Sequence, residues 1–360
     1  MAVHVALLLY ISVIGTLIFL TKPYSKNKNR TFLVMAFAAI WLVQSLRGVN
    51  VGLDTDQYTY AFNNAKIGYF PLKWEFLFGL LIRLSVMLSD SPQIMFAIAS
   101  LIILTGIFVF IDQNLPDNMS KFWAVFFFVV FTQYFSTMNL LRQSLAMSFG
   151  CNIYTVFNKC HTRRKYVLSA ILLIIAQMFH SSGFVCVLLI FPFIFEADRK
   201  MIFLCMFMAV ASYFLYGFAL GIFLRVAPRY ARYIGGRLDA AGQSGVYTLF
   251  ALIDTIIIVL SLIYFDPHKE KNLNIYRLLF VISYSVALII LQRKISLAMR
   301  LGYYFELFMI LLIPEFINRF EIHTRVPVKF AAYMLGWAYF IYSMTASNAR
   351  GCVPYTFFWQ

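Results

Sequence analysis

Long apolar runs, separated by short polar or basic stretches, recur along the chain from residue 3 to residue 346. About 20 apolar residues in an α-helix are enough to cross the hydrocarbon layer of a membrane, and many of the runs approach that length. The pattern therefore predicts an all-α fold, a polytopic integral membrane helical bundle. The candidate segments are 3–20, 31–46, 74–90, 93–111, 121–136, 138–157, 166–181, 183–195, 201–224, 246–265, 275–292, 300–317 and 328–346.

Composition argues against a soluble fold. Hydrophobic residues make up 62% of the 360 residues, aromatic residues 18% and charged residues 12%. One soluble core cannot bury that much apolar surface. The first run lacks the basic leader and the small-residue cleavage site of a signal peptide. No stretch resembles a separate soluble domain, so we expect residues 1–360 to form a single integral membrane domain.

The formal net charge is +15, which in a soluble chain could indicate a nucleic-acid partner. Here the basic residues cluster in short loops, as the positive-inside rule describes, so no nucleic-acid partner is expected. Alternation between these loops predicts about twelve crossings of a bacterial inner membrane, with both termini outside. The residues that mark the cytoplasmic loops are Lys22, Lys26, Lys28, Arg30, Lys159, Arg163, Arg164, Lys165, Lys269, Lys271, Arg319, Arg325 and Lys329.

Segment 74–90 departs from simple alternation, because segments 74–90 and 93–111 must together cross the membrane only once. Arg83 would lie near the middle of the membrane if 74–90 were an ordinary span. Irregular backbone at membrane depth is tolerated where it lines a cavity. We therefore expect a re-entrant or interfacial helix near 74–90.

Arg142 and Gln143 interrupt the apolar run from 122 to 157. A cation at the centre of a membrane helix costs roughly 3 kcal/mol or more. The chain therefore either breaks at this point and places Arg142 at a polar mouth, or holds the guanidinium against a buried anion. The loop charges place Arg142 on the outer side of the membrane, together with His180.

Other basic residues fall on the outer side, where the positive-inside rule makes them scarce. A solvated loop explains any one of them, but as a set they are typical of an anion site, because guanidinium binds phosphate in bidentate fashion and stays charged. A lipid phosphate or pyrophosphate is the anion that we expect. These residues are Arg225, Arg229, Arg232, Arg237, Arg293, Lys294 and Arg300.

Three outer residues are candidates for acid–base chemistry. Asp54 lies in a glycine-containing segment that begins at Arg47, and this segment could equally be an ordinary polar turn. Glu75 could complement the dipole of a helix N-terminus or act as a base with a raised pKa. His180 could cap a turn or contact a substrate. The residues alone leave these alternatives open.

Asp254 and Glu306 lie within predicted spans, where acids are expensive and usually paired. Arg300 precedes Glu306 by six residues, and the partner of each acid stays unassigned. Such acids would suit proton coupling, so a transporter remains an alternative. The five cysteines imply no disulfide framework, and neither metal-ligand spacing nor a nucleotide-binding motif is present. No metal or other cofactor is predicted.

Several short motifs occur in a fixed order across residues 47–355. They are Arg47…Val51-Gly52-x-Asp54-Thr55-x-x-Tyr58, Trp74-Glu75-x-x-Phe78, Asn139-Leu-Leu-Arg142-Gln143-x-Leu-Ala146, Phe179-His180-Ser-Ser, Arg300-x-Gly-Tyr303-Tyr304-Phe305 with Pro314, and Val353-Pro354-Tyr355. In this order they resemble the EpsG family of polysaccharide polymerases, relatives of the Wzy-type O-antigen polymerases.

The resemblance implies a membrane glycosyltransferase with a GT-C-like helical fold and a site on the periplasmic face. Such an enzyme moves a growing glycan from undecaprenyl pyrophosphate to the non-reducing end of a new undecaprenyl-pyrophosphate-linked repeat unit, without a cofactor. The implied partners are this lipid-linked oligosaccharide, membrane lipid, a flippase and a chain-length regulator. An exopolysaccharide or capsule polymerase, an oligosaccharide-lipid transporter and a ligase relative remain alternatives.

The resemblance also suggests residue roles. Arginines would bind the pyrophosphates, and His180, or with less support Asp54 or Glu75, would deprotonate the acceptor hydroxyl. Trp74 and several polar residues would contact the sugars. The full set of expected substrate-binding residues is Arg47, Arg142, Gln143, Asn139, Arg225, Arg229, Arg232, Arg237, Arg300 and Tyr303.

Overall fold

The computed structural model describes residues 1–20, 26–69, 74–131, 133–226, 245–266, 273–292, 296–346 and 348–360. Within these ranges every regular element is helical, which confirms the predicted all-α class. The first helices are α1 (Ala2–Leu20), α2 (Lys26–Ser45), α3 (Thr55–Lys66), α4 (Phe76–Leu88), α5 (Gln93–Asn114), α6 (Asn118–Val130), α7 (Gln133–Asn139), α8 (Leu141–Lys159) and α9 (Arg164–Phe179).

A 3₁₀ helix, Ser181–Ile190, follows α9. The remaining helices are α10 (Phe191–Ile194), α11 (Arg199–Phe214), α12 (Tyr216–Val226), α13 (Gly245–Tyr264), α14 (Leu273–Leu291), α15 (Ser296–Glu306), α16 (Met309–Asn318), α17 (Ile322–Ala346) and the short α18 (Asn348–Gly351). The chain forms two compact units, unit 1 with Met1–Cys186 and Ile313–Gln360, and unit 2 with Val187–Leu312. The single domain stays a prediction.

Among the described helices, α5 and α14 are each long and apolar enough to cross a membrane. Three bent pairs, α6 with α7, α11 with α12, and α15 with α16, raise the number of candidate spans to at most 5 if each pair forms one span. The predicted count of about twelve is therefore not confirmed. Helix α4 has 13 residues and a length of about 20 Å, and the re-entrant or interfacial placement expected there stays a prediction.

Helix α3 lies in a region where the apolar runs predicted no helix. Its 12 residues bury one face, formed by Tyr58, Ala61, Phe62 and Ala65. This spacing of three and four residues is typical of a surface helix with one apolar stripe. The helix is too short and too polar to resemble a span, so a search for long apolar runs passes over it.

The core of unit 1 is centred on α6, whose aromatic residues are almost entirely buried. Trp123 stacks on Phe127 with ring centroids 5.6 Å apart, and Phe126 stacks on Tyr333 of α17 at 5.1 Å. Offset stacking of this kind adds to the free energy gained by packing large rings. It holds α17 against α6, so that residues 348–360, which follow α17, can reach α7.

A close approach at Gly106 fixes α8 against α5. A Cβ atom at Gly106 would clash with the backbone oxygen of Ser148, and Nδ2 of Asn152 donates to the Gly106 carbonyl at 2.9 Å. Between α7 and α8 the chain breaks at Leu140, where φ is −96° and ψ is 55°. Arg142 therefore lies in the first turn of α8, at the positive end of the helix dipole.

Candidate functional site

An ion pair joins the beginning of α8 to the residue that precedes α4. Nη1 of Arg142 donates to Oε2 of Glu75 at 2.6 Å, and the guanidinium carbon lies 4.4 Å from the centroid of the Trp74 ring. A guanidinium at this distance from an indole face makes a favourable cation–π contact. The sequence offered two alternatives for Arg142, a break in the helix or a buried anion as partner. The structure has both, the break at Leu140 and the carboxylate of Glu75.

Glu75 is held on both of its carboxylate oxygens. Oε1 accepts the backbone N–H of Ser181 at 3.1 Å, while Oε2 accepts Arg142. Burial raises the pKa of the Glu75 carboxyl, but Arg142, the N–H donors and nearby His180 outweigh it and place that pKa below the ordinary value of 4.5. At neutral pH Glu75 is therefore ionised, and it is a weak base.

His180 follows the last residue of α9, and its ring turns towards Ser182. Nδ1 of His180 accepts the backbone N–H of Ser182 at 3.2 Å and lies 2.7 Å from the Ser182 hydroxyl oxygen. A ring nitrogen that accepts an N–H carries no proton, so the neutral imidazole carries its proton on Nε2. In this form His180 offers a hydrogen-bond donor at Nε2.

Tyr58 of α3 connects Asp54 to the ion pair. Its ring packs 5.6 Å from Phe78 and 6.0 Å from Trp74, and its side chain hydrogen-bonds with Arg142. Asp54, immediately before α3, interacts electrostatically with Tyr58. Burial raises the pKa of the Tyr58 hydroxyl, which therefore keeps its proton at neutral pH. We define Asp54, Tyr58, Trp74, Glu75, Arg142, His180 and Ser182 as the mouth cluster.

Three residues expected to contact substrate are buried. Arg47 is fully buried and donates to the carbonyl oxygens of Gln44 at 2.7 Å and Met138 at 3.3 Å. Burial lowers the pKa of Arg47 to about 10, so it stays charged at neutral pH. Asn139 and Gln143 are 3% and 2% exposed. Arg47 connects backbone segments, and the other two belong to the packed interior.

Residues 348–360 close the loop that carries Asp54. The backbone N–H of Gly52 donates to the carbonyl oxygen of Gly351 at 2.8 Å, and Gly48 donates to Thr356 at 2.8 Å. Asn139 lies between the two segments: its Oδ1 accepts from the backbone N–H of Leu53, and its Nδ2 lies 3.5 Å from the Cys352 sulfur. The loop is therefore held from both sides, which fixes the position of Asp54.

The positive φ of Gly52 gives a first prediction. Gly52 has φ +99°, and an added Cβ would lie 2.9 Å from Thr55 Oγ1 and 3.0 Å from Asn139 Oδ1. Gly68 has φ +79° but open space around it, so it is a matched control. Both alanine variants should lose about 1–2 kcal/mol of stability from backbone strain. Only Gly52→Ala should lose more than this, because its Cβ also meets Thr55 and Asn139; equal thermal midpoints of the two variants would contradict the close approach.

The Glu75–Arg142 ion pair gives a second prediction, on stability against pH. The pKa of Glu75 is lower in the folded protein than in the unfolded chain, so its stabilisation is complete above the ordinary value of 4.5. It is lost as pH falls through the lower folded value. Between about pH 6 and pH 3, the thermal midpoint of Glu75→Gln should therefore fall less than that of the wild type. Parallel curves would contradict the prediction.

The remaining expected binding residues that the structure describes belong to unit 2. Arg225, at the end of α12, is exposed, Arg300 of α15 is partly exposed, and Tyr303 is 6% exposed. Arg229, Arg232, Arg237, Arg293 and Lys294 lie outside the described residues. Among those described, no group of three His, Cys, Asp or Glu side chains is placed to hold a metal ion.

Sequence reasoning missed Tyr58 and Ser182 as members of the mouth cluster. Tyr58 follows Asp54 by four residues, a spacing that places both on one face of a helix. That signal was present, but no helix was expected there. Ser182 follows His180 by two residues, and nothing in such a short spacing shows that the serine would bind the ring.

The apolar helices and the polar mouth cluster are those of a helical membrane protein. The model of the EpsG family matches residues 30–357, which is most of the chain, and the chain belongs to this family. The family is associated with Wzy-type polymerases, so membership supports a polysaccharide polymerase-type function. No curated protein and no solved structure matches the chain.

Proposed function

We propose that this protein polymerises O-antigen repeat units. It moves the growing glycan from undecaprenyl pyrophosphate to the non-reducing end of a new undecaprenyl-pyrophosphate-linked unit, on the periplasmic face of the bacterial inner membrane. Membership of the EpsG family supports a polymerase-type function. The observation that carries the site is the mouth cluster, in which a partly exposed arginine, an imidazole donor and a carboxylate converge.

In this proposal Arg142 binds the pyrophosphate of the donor. Its side chain is 28% exposed, so N–H groups other than the one bound to Glu75 can reach an anion. The first turn of α8 adds the positive end of the helix dipole. As the bond between the sugar and the pyrophosphate breaks, negative charge grows on the leaving oxygen, and a preorganised guanidinium stabilises it.

His180 acts as a donor in this scheme rather than as the base. Its Nδ1 is occupied by Ser182, and its Nε2 carries the proton that can hydrogen-bond to a pyrophosphate oxygen. Glu75 is also unsuited to be the base, because Arg142 and Ser181 occupy its two oxygens. Asp54 is therefore the base that we propose: it takes the proton of the acceptor hydroxyl, whose oxygen bonds to the sugar as undecaprenyl pyrophosphate leaves.

The donor role of His180 gives a third prediction. His180→Ala should lower the transfer rate about 10–100-fold, the loss expected for a hydrogen bond to a charged group. His180→Gln should retain part of the rate, because the amide N–H can replace the imidazole donor. The measurement is chain formation by purified protein in liposomes with a lipid-linked repeat unit. Equal loss in both variants would instead assign the base to His180.

Arg225, Arg229, Arg232, Arg237 and Arg300 stay proposed as further pyrophosphate-binding residues. They supply several guanidinium groups, and a single arginine does not neutralise a pyrophosphate. Arg47 is assigned to support of the mouth cluster, since its donors face backbone carbonyls. A flippase and a chain-length regulator complete the proposed set of partners.

A strain that lacks the gene tests the proposed function. On a lipopolysaccharide gel, the long-chain ladder should collapse to lipid A core plus one repeat unit, and the wild-type gene should restore it. An unchanged ladder with loss of a secreted polymer would assign the protein to exopolysaccharide or capsule. Lipid-linked units trapped on the cytoplasmic side would indicate a transporter, and long chains that never reach the lipid A core would indicate a ligase.

A further inference from the structure

Unit 2 contains a contact between two acids that the polymerase scheme does not use. Asp254, in α13, is fully buried, and Glu306, the last residue of α15, is 6% exposed. The carboxyl groups of these two residues interact with each other. The acids that the sequence left without partners are therefore partners of one another.

The surroundings of the pair supply a donor to one acid but not to the other. The hydroxyl of Ser285, from α14, donates to Oε2 of Glu306 at 2.8 Å. Neither carboxylate oxygen of Asp254 has a hydrogen-bond donor among the described residues. A buried carboxylate without a donor is costly, so this side chain indicates a missing positive partner.

The charged residues of the helices around the pair do not provide that partner to Asp254. Helix α14 carries one charged residue, Arg277, whose guanidinium carbon lies 4.6 Å over the ring of Phe193. Helix α13 contains no charged residue besides Asp254. Helix α15 carries two charged residues, Arg300 and Glu306, which are six positions apart. Of these two, Glu306 acts electrostatically on Asp254.

We infer that Asp254 and Glu306 form a proton-binding site, in which one proton is held between the two carboxyl groups. Two ionised carboxylates cannot lie side by side in an apolar bundle. A single proton turns their repulsion into a short O–H···O⁻ hydrogen bond and gives Asp254 the donor that it lacks. Loss of the proton would leave two negative charges that repel each other in apolar surroundings.

A hydrophobic carbodiimide tests the site directly, because it reacts with protonated carboxyl groups in apolar surroundings and leaves a stable adduct. In purified full-length protein in liposomes, we expect mass spectrometry to find the adduct on Asp254 or Glu306. Labelling should fall as pH is raised, and it should be lost in both Asp254→Asn and Glu306→Gln. Asparagine supplies a donor to Glu306, so the first variant should still fold.

The exposed Glu321 is the matched control: it should take no adduct, and Glu321→Gln should leave labelling of the pair unchanged. Infrared spectroscopy gives a second readout, which does not require the carbodiimide to reach the buried pair. A band of a protonated carboxyl that disappears in Asp254→Asn would support the site. Absence of both adduct and band would overturn the inference. Protection by sodium at constant pH would also overturn it, in favour of a metal-cation site. None of these outcomes depends on whether the chain polymerises glycans.

Discussion

Replacing Arg142 with alanine should lower polymer formation about 10²–10³-fold, the loss seen when one preorganised donor to a developing negative charge is removed. Arg142 donates to Glu75, stacks over Trp74 and keeps donors for an anion, and alanine does none of these. The measurement is the rate of ladder formation from a lipid-linked repeat unit in liposomes. The affinity for that unit should also fall, because in the proposed function the same guanidinium binds the pyrophosphate.

Two further variants sharpen this test. Arg142→Lys keeps the charge but loses the planar fork, so it should recover only a small part of the rate. Arg83 is an exposed arginine on α4, and Arg83→Ala should keep the wild-type rate. If Arg142→Lys were fully active, a point charge would suffice and bidentate binding of pyrophosphate would be excluded. If Arg142→Ala kept the wild-type rate, the proposed site would be wrong.

Replacing Asp54 with asparagine should lower the turnover rate about 10²–10⁴-fold, because a general base contributes that much. Asparagine has nearly the same shape and cannot accept the proton of the acceptor hydroxyl. KM for the lipid-linked unit should change little, since the pyrophosphate contacts remain.

Asp56 is a matched control for this variant. It lies two residues further on, is exposed, and its carboxylate accepts the backbone N–H of Gln57 at 2.8 Å. Asp56→Asn should therefore keep the wild-type rate. Unchanged turnover in Asp54→Asn, or the same loss in both variants, would remove Asp54 from the role of base and return that role to His180.

The all-α class could be read from the sequence, because long apolar runs leave few other folds for a backbone in lipid. The number of membrane crossings could not be read from the sequence. Helices α6 and α7 meet at 54° and α11 and α12 at 78°, and nothing in their apolar residues marks these bends. Helix α3 shows the opposite failure: its pattern is clear, but it is too short to stand out among long runs.

For the site, the sequence identified most of the residues but not their contacts. Arg142 and Glu75 are 67 positions apart, and their ion pair depends on how α4, α8 and α9 pack. Arg47, Asn139 and Gln143 carry the same chemistry as exposed binding residues, but they are buried. Polarity and sidedness could not separate a residue that faces a ligand from one that supports the backbone, since burial is decided by tertiary packing.

The hydrogen bonds of residues 348–360 also indicate when, during synthesis and folding, the loop that carries Asp54 acquires its support. Nε2 of His4 lies 2.9 Å from the Cys352 carbonyl oxygen, across 348 positions of the chain, and the Tyr355 hydroxyl donates to Val43 across 312. Contacts of such long range form late, after the intervening chain has been made and has folded. A nascent chain can thus already contain Arg142 and His180 while the support beneath Asp54 is missing. The support of the loop that carries Asp54 therefore forms in one late step, after residues 348–360 have been made.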